Sequence, residues 1–235
     1  MKKINDLENL AKKYRRDLFE KILQMKQGHI GSLFSMMEIV VALYHCGFVE
    51  FDEKKKLFLN KVLISKGHAT SALYPILKDF GVIQEEEWNN WGHKSSVLRV
   101  FGNTSIPGID VTSGSLGHCI GVGAGMAINF KRTGENKKVY VIISEGELYE
   151  GSTWEALLFS KHNKLDNLTV IIDINSLIIL GKTKDCLNLD PIKDKITGLG
   201  IKTLEVDGHN FNDLIAAFET SKKMGELNCI LAKTI

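Results

Sequence analysis

The sequence predicts an α/β fold, a parallel sheet with helices on both faces, and three observations carry that expectation. Short β-branched runs alternate with longer helical stretches along the chain. Two of those runs, Val139–Ser144 and Leu168–Ile174, are apolar almost throughout. No repeat, low-complexity tract or Pro/Ser-rich linker interrupts the alternation. Strands separated by helices imply a parallel sheet, and near-continuous apolar runs are those of strands buried on both faces. A length of 235 residues suits one large domain over residues 1–235 better than two small ones.

The elements follow in order. The opening segment MKKINDLENLAKKYRRDLFEKILQMK reads as an amphipathic helix with Leu7, Leu10, Tyr14, Leu18, Ile22 and Met25 along one side. Helical patterns then cover residues 34–46, 70–80, 116–131 and 153–162, and the segment Phe211–Lys223. Besides the two apolar runs, strands are expected at 61–65, 202–206 and 229–233. Asn210 stands where an N-cap belongs before Phe211.

Composition narrows the function classes. With 44% hydrophobic and 25% charged residues the chain has an ordinary globular make-up. A formal charge of +2, spread over interspersed lysines and acids, gives no footprint for nucleic acid or an acidic membrane surface. Cys46, Cys119, Cys186 and Cys229 form no CxxC pair, so reduced thiols are expected rather than a disulfide framework or a zinc site. The N-terminal segment lacks an apolar run long enough for a signal or a span, and the expected location is the cytoplasm.

Ligands of parallel sheets sit beyond the carboxyl ends of the strands, and four clusters fall there. Ser144-Glu145-Gly146-Glu147 and, about thirty residues on, Asp173-Ile174-Asn175 each end a strand, so Glu145 and Asn175 can meet. A carboxylate and an amide oxygen are hard ligands suited to magnesium or calcium. Gly146 admits close backbone approach to a phosphate, and the helix starting near Gly151 points its positive end nearby. Read alone, the same residues serve equally as a Gly turn and a loop-capping Asn. Gly28-His29-Ile30-Gly31-Ser32 leaves His29 at a loop tip after the first helix, where an isolated His is usually only solvated. Ser65-Lys66-Gly67-His68-Ala69 places His68 at a helix start that can face an oxyanion or simply cap a turn. The Gly-rich run from Val111 to Ala127 has the wrong spacing for a dinucleotide fingerprint, because its later glycines fall inside a helical pattern. Small residues there allow close packing of a helix on another element or subunit, with Gly114 and Leu116 in a loop over a flat ring.

Taken together and in this order, GHIGS, VLISKGHATSALY, PGIDVTSGSLGH, GELYEGSTWEAL, KLDNLTVIIDIN and LEVDGHNF resemble the N-terminal half of transketolase over nearly the whole chain. The resemblance implies the diphosphate-binding subunit of a split, thiamine diphosphate-dependent enzyme. Its Gly-Asp-Gly…Asn signature maps to Ser144-Glu145-Gly146 and Asn175. By that mapping Glu145, Asn175 and the carbonyl of Leu177 would ligate Mg2+ (or Ca2+), and His68 and Gly146 would contact the diphosphate. Glu147 would be among the cofactor-binding residues, with Leu116 and Ile179 against the thiazolium and Gly114 beside the aminopyrimidine. His29 would face the sugar phosphate near its reacting carbon, and Asn103 stands where the family has a substrate-facing His. Glu150 matches a glutamate that couples two active sites through a subunit interface.

The family's activating glutamate belongs to the following domain, so a separate pyrimidine-binding C-terminal chain is the expected partner, with self-association of the complex. The reaction implied is transfer of a two-carbon ketol unit between sugar phosphates. Departures from the pattern also admit a non-catalytic assembly or regulatory paralogue, or a synthase using a donor such as pyruvate. They are Glu145 for Asp, Ser144 for Gly, Asn103 for His, Cys119 for Gly, and an end at LAKTI.

Overall fold

The computed structural model describes residues 2–235. Five parallel strands form the central sheet: β1 (Lys61–Ile64), β2 (Val139–Ser144), β3 (Leu168–Ile174), β4 (Lys202–Asp207) and β5 (Asn228–Lys233). Their spatial order is β1-β2-β3-β5-β4. The helices are α1 (Ile4–Met25), α2 (Ile30–Ser35), α3 (Met37–His45), α4 (Tyr74–Asp79), α5 (Glu85–Asn89), α6 (Cys119–Arg132), α7 (Gly151–His162), α8 (Thr183–Cys186), α9 (Ile192–Gly198) and α10 (Phe211–Lys223). All five expected strands are present.

Strand periodicity explains why the apolar runs are continuous. Tyr140 and Ile142 of β2, Ile171 of β3 and Ile230 of β5 face a core shared with α1, α3, α4 and α10. Their neighbours Val139, Val141, Ile143, Val170, Ile172, Cys229 and Leu231 face a second core under α6, α7 and α9. Side chains alternate across a strand, so a run apolar at every position needs a layer on each face. Each such side chain, fully removed from water, contributes about 1.5–3 kcal/mol before entropy is subtracted.

Helix patterns follow the same logic. In α1 the buried residues are Leu7, Ala11, Tyr14, Leu18 and Ile22, one stripe at helical spacing. The helix ends at Lys26, whose φ of 55° is left-handed. Almost all of α3, from Met37 to Tyr44, is buried, so it carries no solvent face and packs beneath α1 and α10. A Cβ on Gly123 of α6 would lie 2.6 Å from a Val141 methyl, so this glycine brings the helix onto the sheet. The close packing expected of the Gly-rich run is met at Gly123, whereas Gly121 and Gly125 face open space.

Differences from the expected elements have local causes. The single helix expected over 34–46 breaks at Met36, whose φ of −96° and ψ of 8° separate α2 from α3. The stretch expected to be helical from 70 opens as a 3-10 turn over Gly67–Leu73 before α4. Gly117, at φ +80°, delays α6 to Cys119. Helices α5, α8 and α9 are too short to show a period, and so is the antiparallel pair Leu177–Ile178 with Gly181–Lys182. None of these was expected.

Candidate functional site

The parallel register sets the site. Ser144 of β2 lies opposite Asp173 of β3, so Glu145 and Asn175 leave the sheet at one edge. The Glu145 Oε2 accepts the Ser176 N–H at 3.0 Å, and the Asn175 Oδ1 accepts the Leu177 N–H at 3.1 Å. Both side chains therefore hang on consecutive amides of one turn, with Ser176 at φ +60°. Glu145 is buried, and Oε2 is its only atom in a side-chain hydrogen bond among the described residues. The turn keeps hard oxygen atoms together, and Oε1 of Glu145 remains for a further ligand. Among the described residues no three His, Cys, Asp or Glu side chains group as a metal site. An ion here would rest on one carboxylate, an amide and a carbonyl, completed by water and phosphate oxygens. That donor set suits magnesium.

Gly146 meets a neighbour that the motif did not foretell. A Cβ there would fall 2.8 Å from the Ile178 Cγ2, so in this structure the glycine clears the hairpin that follows Asn175. That hairpin carries its apolar side chains outward: Leu177 is 55%, Ile179 98% and Leu180 81% exposed. Leu116, half-buried, and the exposed Gly114 sit in the loop before α6, where the Phe101 ring lies 4.0 Å from a Cβ built on Gly114.

Glu147 is held by the protein itself. Its side chain is fully buried, and both oxygens are taken by the protein. Oε1 accepts the Gly117 N–H at 2.9 Å and the Ser65 hydroxyl; Oε2 accepts the Ser144 N–H at 2.8 Å and its hydroxyl at 3.2 Å. Each carboxylate oxygen thus accepts two hydrogen bonds from the protein. Ser144 and Glu147 also form a capping box on the 3-10 turn Glu145–Tyr149, which gives Ser144 its use.

The histidine expectations converge. His29 stands, exposed, at the N-cap position of α2 without a side-chain capping bond, and its ring centroid lies 5.0 Å from that of His68. The Nε2 of His68 is 3.0 Å from the Ser32 hydroxyl. Burial first, then the neighbouring charges of His29 and Lys66, depress the His68 pKa to about 4. At neutral pH the ring is uncharged. Asn103 is engaged elsewhere: its Oδ1 accepts the Ser105 N–H at 3.0 Å and its Nδ2 reaches the Val97 carbonyl at 3.4 Å. Its amide fastens its own loop through these two contacts. Glu150 is exposed at the start of α7, its Cβ 2.6 Å from the position a Gly117 Cβ would take.

A buried pair beside the site was not singled out from the sequence. Lys66 Nζ forms an ion pair with Asp173 Oδ2, their side chains 1% and 0% exposed. Lys66 also donates to the Ser32 carbonyl at 2.9 Å, while Asp173 accepts from the Ser35 hydroxyl at 2.6 Å and from Thr234. The pair joins the end of β1, the His29–Ser35 segment and the strand leading to Asn175. The one signal was Asp173, a charge within the apolar run of β3, since a buried charge demands a partner; Lys66, in a Gly turn, gave none.

Comparison with known proteins decides the family. Residues 8–235 match the family described as transketolase, thiamine diphosphate binding domain. The chain belongs to the transketolase family. It is 36% identical over 218 residues to one subunit of the apulose-4-phosphate transketolase of Phocaeicola vulgatus, covering 92% of this chain and 78% of that protein. To a 6-deoxy-6-sulfo-D-fructose transketolase subunit of a Clostridium species it is 31% identical, covering 98% of this chain and 85% of that one. The transketolase crystal structure from Campylobacter jejuni superposes with a TM-score of 0.91 at 24% identity. That match covers 99% of this chain but 38% of the Campylobacter chain, and it shows the shared fold. This chain is thus a transketolase-type subunit carrying the thiamine diphosphate-binding domain. Among the described residues no helix is long and apolar enough to cross a membrane.

Proposed function

We propose that this chain holds the diphosphate and metal of a two-chain transketolase, which moves a two-carbon ketol unit from a ketose phosphate to an aldose acceptor. The carrying observation is the single turn on which Glu145 and Asn175 converge, one residue from Gly146 and beside Leu177. Glu145, Asn175 and the Leu177 carbonyl would hold magnesium. His68, neutral and at the start of a 3-10 turn, would meet the diphosphate together with Gly146. Thiamine diphosphate, when bound, supplies the carbon–carbon bond chemistry. Leu116 and Ile179 offer apolar surface for its ring, and Gly114 leaves room beside it.

His29, exposed and within ring contact of His68, is placed to donate to or accept from a sugar hydroxyl. Glu150 lies at an exposed helix start, open to a neighbouring chain. The two relatives are named as transketolase subunits, which supports a separate pyrimidine-binding partner for this chain. A sugar phosphate is the proposed donor and the cytoplasm the proposed compartment.

The test is a coupled assay of the chain mixed with its partner, with thiamine diphosphate, magnesium, an aldose phosphate acceptor and a panel of ketose phosphate donors. Aldehyde release that requires both chains and falls at least tenfold in His29→Ala supports the proposal. Carbon dioxide release from pyruvate in the presence of an aldehyde acceptor, with no aldehyde released from any ketose phosphate, would reassign the enzyme to a synthase class.

A further inference from the structure

We propose that Glu147 is a positioning residue of the cofactor site, pinning the Leu116 loop and the Glu145 turn to the end of the strand that leads to His68. The inference rests on the proposed function and deepens it. Its first support is topological. The four donors to this one carboxylate come from three separate segments: Ser65 after β1, Gly117 before α6, and Ser144 at the end of β2. Every one of those segments continues within three residues into a proposed cofactor or metal contact: Ser65 to His68, Gly117 back to Leu116, and Ser144 to Glu145 and Gly146.

The second support is chemical. Each oxygen receives one backbone N–H, which can only donate, so both oxygens must accept. A glutamine in the same place cannot satisfy them. Whichever way the amide is turned, its NH2 faces either the Gly117 N–H or the Ser144 N–H. One anchor is lost and the other kept. Gly117 turns the loop at φ +80°, and a Cβ there would lie 2.6 Å from the Glu150 Cβ.

The carbonyl of Glu147 extends the device. It accepts the Thr153 hydroxyl at 2.6 Å, while the Leu148 carbonyl accepts the Trp154 indole N–H at 2.8 Å. The first turn of α7 is thereby tied to the same knot. A buried hydrogen bond elsewhere in the fold, between Thr169 and Ser221 at 2.9 Å, touches none of these loops and serves as a comparator.

Thiamine diphosphate is titrated, with magnesium chloride in excess, into the chain combined with its partner, for wild type, Glu147→Gln, Ser65→Ala and Ser221→Ala. Thermal midpoints are read without cofactor. Glu147→Gln is expected to weaken cofactor binding at least tenfold and Ser65→Ala at least threefold. Ser221→Ala is expected to lower the midpoint with affinity unchanged. A folded Glu147→Gln complex binding within twofold of wild type overturns the inference while leaving the cofactor reading intact. So does a Ser221→Ala complex that loses as much affinity for an equal midpoint loss. Wild type that takes up no cofactor overturns both. If Glu147→Gln does not fold, Ser65→Ala decides by the same threefold criterion, and unchanged affinity refutes.

Discussion

Replacing Lys66 by methionine removes the ammonium and leaves the Asp173 carboxylate fully buried with two hydroxyl donors, Ser35 and Thr234. Breaking one side of a buried pair costs about 3–5 kcal/mol, because the remaining charge is neither solvated nor paired. The two surviving hydroxyls place Lys66→Met near the lower end, about 3 kcal/mol. For a chain of this size each 1 kcal/mol moves the thermal midpoint by about 2–4 °C, so the drop should be about 6–12 °C. The double variant Lys66→Met/Asp173→Leu removes the orphaned charge and should recover at least about half of that loss. Recovery stays incomplete because the Ser35 and Thr234 hydroxyls lose their acceptor. Differential scanning calorimetry of wild type, both single variants and the double variant at pH 7 reads these terms. A loss under about 1 kcal/mol in Lys66→Met, or losses that simply add in the double variant, would refute the reasoning.

Two further outcomes follow from the same edge of the sheet. His68, held near pKa 4 in the fold against 6.5 in the unfolded chain, binds fewer protons when folded between those values. Its contribution is fully present above about pH 6.5 and is lost as pH falls toward 4, so His68→Asn should show a flatter acid limb of thermal midpoint between pH 7 and 4.5. Parallel limbs for the two proteins would count against it; His45, depressed to about 4 mainly by burial, titrates in both. Gly67→Ala would drive a Cβ to 2.0 Å from the Ser113 carbonyl oxygen, a backbone atom that cannot swing aside. The expected cost is about 3 kcal/mol or more, at the top of the overpacking range, and a midpoint within 3 °C of wild type would show that the loop gives way.

Much of this architecture was legible because the strands announce themselves. Val139–Ser144 and Leu168–Ile174 are apolar on both faces, and the chemistry-bearing residues follow their carboxyl ends. Glu145 and Asn175 could be paired from that rule alone. The roles of Glu147 and Lys66 could not. A motif marks Glu147 as near the cofactor without saying that Ser65 and Gly117, 82 and 30 residues away, enclose it. Lys66 reads as a solvent-facing residue in a Gly turn until β3 is laid two strands from β1 and Asp173 is buried beneath it. Asn103 carries local contacts that no motif foretold, to the Ser105 N–H and the Val97 carbonyl. The hairpin at Leu177–Lys182 has no periodicity to read, yet it carries the exposed Ile179 and fills the space before Gly146.

The most direct test of the account is calorimetric titration of thiamine diphosphate into the chain with its partner, with magnesium and again with EDTA, for wild type and Glu145→Ala. The account expects binding to wild type that depends on magnesium and is lost at least tenfold in Glu145→Ala. Binding of equal strength in EDTA, or in Glu145→Ala, would contradict the placement of the metal on the Glu145–Asn175 turn.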